Sequence, residues 1–219
     1  MAVHVRGCGP RTGWIASMTL EEADDLHRQK KAKIAAAKEK LYADKVIEKG
    51  LLIVHTGTGK GKSTAAWGMA MRCLGHGLKL GVVQFGKGSR DSGERALFTR
   101  FPDLVRLVAV GEGFTWETQD KAADIAAAKE AFAAACAMLQ DPSFHMVILD
   151  ELNITLRYEY LPLDEVLAAL RSRHPACHAV VTGRNARPEL IEMADLATEM
   201  TLLKHPFRDG VKAQIGVEF

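Results

Sequence analysis

The apolar run Leu51–His55 passes directly into Thr56-Gly57-Thr58-Gly59-Lys60-Gly61-Lys62-Ser63 and from there into a helix-forming stretch. No other segment restricts the fold as tightly. Phosphates need several N–H donors at close range, and glycine lets the backbone approach closely in left-handed conformations. Gly57, Gly59 and Gly61 supply that freedom. A helix starting at Lys62 would turn its positive N-terminal end toward the anion. Lys62 is placed to reach phosphate oxygens, and the Ser63 hydroxyl to ligate Mg²⁺. The segment therefore predicts a strand, a triphosphate-binding loop and a helix, with Gly57, Thr58, Gly59, Lys60, Gly61, Lys62, Ser63 and Thr64 around the nucleotide. It departs from the usual G-x-x-x-x-G-K-[ST] spacing, because Thr56 occupies the first glycine position and the glycine follows one residue later.

Beyond the loop, strands and helices alternate. Leu80–Phe85, Leu104–Val110, His145–Leu149 and His178–Thr182 read as strands, with a last strand near Glu199–Leu203. Helices are expected from Lys62 to about Leu74, from about Gln119 to Leu139 and from about Leu163 to Arg173. Shorter ones follow the polar loop Lys87–Gly93 and Pro188. Val-, Ile- and Leu-rich strands alternating with helices imply a mainly parallel sheet covered on both faces. The expected class is α/β, a phosphate-loop (RecA-like) fold with helices flanking the sheet. In such sheets ligands bind beyond the carboxyl ends of the strands, where the informative loops of this chain lie.

Ahead of this body, Thr19-Leu20-Glu21-Glu22 fits a capping box. The helix it opens should run to about Lys49 with only Leu26, Ile34, Leu41 and Val46 as apolar points, too thin a stripe for a core. The division expected is 1–48, an N-terminal arm and helix covering the site, and 49–219, the nucleotide-binding domain. A chain of 219 residues, 47% apolar and 26% charged, can bury such a core and is not globally disordered. A net charge of +2 gives no reason to expect a polyanionic partner. Lys30, Lys31, Lys33, Lys38 and Lys40 are interleaved with Ala and Glu and lack aromatic neighbours. They read as a solvated helix face, so no nucleic acid is expected. No apolar run is long enough for a bilayer span, no apolar leader is present, and the four cysteines form no CxxC pair. A cytoplasmic protein without a membrane partner is expected.

Asp150-Glu151 ends a buried strand, where an acidic Mg²⁺ ligand is expected, although either carboxylate could equally cap the following helix. Gly111-Glu112-Gly113-Phe114-Thr115-Trp116 puts two large rings on a glycine-flanked turn in a chain only 6% aromatic. Rings there can cover the core, or can meet a flat, largely apolar second ligand. No His-Arg-Asp-like motif supplies a kinase base, but a generic ATPase or small-molecule kinase stays open on these residues.

Taken together, HTGTGKGKSTAAWG (55–68), VQF (83–85) with Lys87-Gly88, GEGFTWETQD (111–120), LDELN (149–153), VTGRN (181–185) and KHPFRDGVKAQIG (204–216) resemble the phosphate-loop corrinoid adenosyltransferases. The resemblance runs from about residue 20 to the C-terminus, and the shifted first glycine is itself characteristic. Ser63 stands where Thr is common, Gly86 where a bulkier residue is usual, and residues 1–18 have no clear counterpart. The resemblance implies transfer of the 5′-deoxyadenosyl group of ATP to Co(I) of a reduced corrinoid (cobalamin, cobinamide or cobyrinic acid diamide), releasing triphosphate. It implies Mg²⁺ or Mn²⁺ held by Ser63, Glu151 and Asp150, and a nucleotide lying reversed in the loop. Lys62 would be catalytic, and Phe114 and Trp116 would displace the corrinoid's lower axial ligand. A flavoprotein reductant such as flavodoxin and a homodimer are implied as partners. Arg28 and Arg72 are lesser candidates for anionic contacts.

Overall fold

The computed structural model describes residues 19–86, 92–110 and 120–218. The chain divides into two compact units, Met1–Ile47 and Glu48–Phe219. In the first, helix α1 spans Leu20–Ala43 and opens on the expected capping box. The Thr19 hydroxyl accepts from the Glu22 amide, and Glu22 Oε2 accepts from the Thr19 amide at 2.8 Å. The helix stops at Ala43, six residues short of the expected Lys49, and no residue in it is buried. With no buried residue among those described, α1 gains little from packing, and its last turns are marginal.

The second unit contains a six-stranded sheet of β1 (Leu52–Thr56), β2 (Leu80–Phe85), β3 (Val105–Val110), β4 (Met146–Asp150), β5 (His178–Thr182) and β6 (Leu196–Glu199). Every pairing is parallel, in the order β3-β2-β4-β5-β1-β6. The helices are α2 (Lys62–Gly75), α3 (Gly93–Phe98), α4 (Lys121–Gln140), α5 (Leu152–Arg157), α6 (Leu163–Arg171) and α7 (Pro188–Met193). This is the α/β architecture the alternation predicted. Helix α5 is additional to the expected elements, since six residues are too few for a periodic signal. The last strand lies at Leu196–Glu199, not near Glu199–Leu203. All four of its residues are exposed, so this edge strand carries little hydrophobic pattern. Met200, just after it, crosses the glycine loop instead.

Along β1 to β5, successive residues feed opposite cores. Leu52, Val54, Val147 and Leu149 join Ala131, Ala135 and Met138 of α4 and Leu167 and Leu170 of α6. Ile53, Val82, Ile148 and Val180 join Ala66 and Ala70 of α2 and Phe98 of α3. Each fully buried Val, Ile or Leu contributes about 1.5–3 kcal/mol of transfer free energy, which fixes the register. Alanines on α4 bring its backbone close to the sheet, and Gly81 answers the bulkier Met138. A Cβ at position 81 would lie 2.8 Å from the Met138 sulfur. Cys73, Cys136 and Cys177 are free thiols. Burial raises all three pKa values, Cys177 to about 11, so each stays protonated and packs as a small apolar group. Among the described residues no helix is long and apolar enough to cross a membrane.

Candidate active site

The carboxyl ends of β1, β2, β4 and β5 bring the chemistry-bearing groups together. Strand β1 ends at Thr56, and the loop turns through left-handed Gly57 (φ 100°) and Gly61 (φ 105°) before Lys62 opens α2. Gly61 caps the helix with no side-chain hydrogen bond, leaving the first amides of α2 without a side-chain acceptor from the cap. The chain beyond β6 crosses this loop closely. Gly59 donates its amide to the Met200 carbonyl at 2.6 Å, and Met200 donates to the Thr56 carbonyl at 2.9 Å. A Cβ at Gly57 would lie 2.5 Å from the Met200 oxygen, and one at Gly59 2.7 Å from the same atom. Two of the three loop glycines are therefore also required by packing against residues more than 140 positions away.

Lys62 is buried, and its ammonium donates to the Gly59 carbonyl at 2.5 Å. Burial lowers its pKa; Glu151 opposes that shift, while Arg184 and Lys60 reinforce it by repulsion. Lys62 is thus within electrostatic reach of two further cations, Lys60 of the loop and Arg184 after β5. Lys60 also pairs with Glu218 near the C-terminus. Thr58 and Thr64 are exposed at the loop and on α2. A cavity of about 300 Å³ opens beside the loop, lined by Thr56–Thr58, Asn185, Ala186, Ile191 and Ala197–Glu199. That volume lies at the lower end of small-molecule sites.

Asp150, fully buried at the end of β4, faces Lys62's neighbour Ser63. Its Oδ1 accepts from Ser63 Oγ at 2.7 Å and from Thr182 Oγ1 at 2.8 Å, and its Oδ2 accepts from Gln84 Nε2 at 3.3 Å. Glu151 follows with a left-handed backbone (φ 64°), an uncommon conformation for a side-chain-bearing residue, and its amide donates to Thr182 Oγ1 at 2.9 Å. Gly183 (φ 124°) lies against this corner, where a Cβ would approach Glu151 Oε2 to 3.2 Å. Asn153 Nδ2 donates to the Gly183 carbonyl at 3.0 Å, tying the ends of β4 and β5. His55, on β1 beneath the loop, is buried with both ring nitrogens unpartnered among the described residues, and burial lowers its pKa, so it stands neutral.

Ser63 and Asp150 are thus in contact, with Lys62 and Glu151 beside them in the chain. Phe114 and Trp116 lie outside the described residues. Arg72 is exposed on α2, and Arg28 pairs with Asp25 on α1. Sequence reading passed over Gln84, Arg95, Thr182 and Arg184, although three of them sit inside the VQF and VTGRN segments. Their roles arise from contacts across strands distant in sequence.

Ser63, Asp150 and Glu151 form an all-oxygen donor set, which suits a hard cation. Among the described residues no three His, Cys, Asp or Glu side chains cluster as a metal cage. A site with few protein ligands, completed by substrate phosphates and water, fits Mg²⁺ or Mn²⁺.

Fold and site together define an α/β protein of the phosphate-loop kind with an acidic strand end beside the loop. The family model "ATP:corrinoid adenosyltransferase BtuR/CobO/CobP" matches residues 48–219, and the chain belongs to that family. It is 52% identical over 198 residues to "Corrinoid adenosyltransferase" of Pseudomonas aeruginosa, covering 90% of this chain and 98% of that protein. It is 53% identical over 201 residues to the protein of that name from Sinorhizobium sp (91% and 94% covered). Against the Escherichia coli K12 protein of that name the identity is 43% over 197 residues (90% and 100% covered).

Proposed function

We propose that this chain transfers the 5′-deoxyadenosyl group of ATP to Co(I) of a reduced corrinoid and releases inorganic triphosphate. The observation that carries the reading, beside family membership, is the buried Lys62 folded onto the glycine loop, with its neighbour Ser63 bonded to Asp150 at the end of β4. The Co(I) electron pair forms the Co–C5′ bond, the C5′–O bond breaks, and its pair leaves on the triphosphate. Such a step needs stabilisation of a strongly anionic leaving group, and no general base, because the nucleophile is already electron-rich. Lys62 and the loop amides supply that stabilisation. Ser63 and Glu151, with Asp150, would hold Mg²⁺ or Mn²⁺, which adds positive charge at the phosphates when bound.

Phe114 and Trp116 would displace the corrinoid's lower axial ligand, easing reduction of Co(II) before the transfer. A flavoprotein such as flavodoxin is the proposed electron donor, a homodimer the proposed assembly and the cytoplasm the proposed location. Trp116→Ala should lose more turnover when Co(II) must be reduced in place than when chemically prepared Co(I) is supplied. Equal losses in the two assays would remove ligand displacement from the scheme.

The direct test is incubation with ATP, Mg²⁺ and a chemically reduced corrinoid. The expected result is the absorbance change of Co–C bond formation with one inorganic triphosphate per corrinoid adenosylated. Release of ADP with no change at cobalt would replace this reading with phosphoryl transfer.

A further inference from the structure

We infer that Gln84, held by Arg95, is a positioning residue that fixes the Asp150 carboxylate and, through it, the metal-facing hydroxyl of Ser63. This rests on the metal-assisted use of triphosphate proposed above.

Gln84 is the fifth residue of β2 and stands directly opposite Asp150 in the β2–β4 register. It is 2% exposed, so its amide is cut off from water. An amide buried in this way is costly unless both ends are paired. Arg95 of α3 donates from Nε to Gln84 Oε1 at 3.0 Å, and Gln84 Nε2 donates to Asp150 Oδ2 at 3.3 Å. The chemistry of the two neighbours leaves the amide a single orientation. A guanidinium can only donate, so the end facing Arg95 must be the oxygen, which leaves the nitrogen facing Asp150.

Asp150 is then gripped through both oxygens, by Gln84 on Oδ2 and by Ser63 and Thr182 on Oδ1. Gripping both oxygens fixes the plane of the carboxylate. Because the Ser63 proton is committed to Oδ1, the lone pairs of that hydroxyl are left for a cation. Without Gln84, Oδ2 loses the donor that helps set the carboxylate plane, which loosens the acceptor of the Ser63 hydroxyl. Partners one layer behind a metal ligand typically change affinity by about 10–100-fold when removed.

The test measures Mn²⁺ bound in the presence of ATP and in the absence of corrinoid, following free Mn²⁺ by electron paramagnetic resonance. Gln84→Met keeps the length and apolar volume of the side chain while removing donor and acceptor. It should weaken Mn²⁺ binding about 10-fold or more. Arg95→Met should weaken it less, and Gln84→Met/Arg95→Met no more than Gln84→Met alone, because Arg95 acts through Gln84. Native Mn²⁺ affinity in Gln84→Met overturns the inference. So does an Arg95→Met loss that persists undiminished in the Gln84→Met background, since Arg95 would then act on its own. Should Gln84→Met fail to fold, the comparison moves to Arg95→Met and Arg95→Lys. Lys reaches Gln84 Oε1 as a donor and should restore binding, whereas equal losses in both would count against the relay. The readout needs no corrinoid, so failure of adenosyl transfer and failure of this inference are separable.

Discussion

Lys62→Ala should lower adenosyl transfer by roughly 10²–10³-fold, the usual loss when one charge-stabilising donor is removed from a transition state. The ammonium is buried at the first position of α2, folded onto the Gly59 carbonyl, with Glu151 as its opposing charge. Burial is the largest influence on its pKa and acts against the charged form, a cost that a bound anion would offset. The melting temperature of Lys62→Ala should accordingly stay within about 2–4 °C of the native value, the shift that 1 kcal/mol produces in a chain of this size. Turnover with reduced corrinoid and ATP, read beside a thermal melt, checks both halves. Near-native turnover would remove Lys62 from the chemistry, and a collapse of the melt would make its role structural.

Gly57→Ala should have the opposite profile, failing in the fold first. The new methyl would lie 2.5 Å from the Met200 oxygen and 2.7 Å from its nitrogen, on a residue with φ 100°. Overpacking against backbone and an unfavourable φ each cost about 1–3 kcal/mol, so a total of roughly 3 kcal/mol is expected. That corresponds to a melting temperature about 6–12 °C lower. Gly68→Ala is the internal contrast. Gly68 lies within α2, with nothing within 4 Å of an added Cβ, so alanine should raise stability by about 0.5–1 kcal/mol. If Gly57→Ala melts with the native protein, the crossing of Met200 over the loop does not hold in solution.

These two variants also divide what local sequence can say from what it cannot. The strand–loop–helix around Lys62, the capping box at Thr19 and the acidic end of β4 depend on residues within a few positions of one another. All three were legible. The stop of α1 at Ala43 and the placing of β6 were not, because both elements bury too little for their pattern to show. Met200 and Thr201 are apolar or β-branched enough to read as strand, yet they leave the sheet to pack on Gly57 and Gly59.

By itself, then, the sequence determined a phosphate-loop α/β body and the family, since loop geometry and strand–helix alternation are encoded by neighbouring residues. Only the tertiary structure decided that Gln84, Thr182 and Ser63 meet on Asp150, because the order β3-β2-β4-β5-β1-β6 places strands side by side that the chain separates by dozens of residues. Only it supplied the second reason for Gly57 and Gly59, because a glycine suited to a turning loop gives no local sign of a backbone that crosses it from far along the chain.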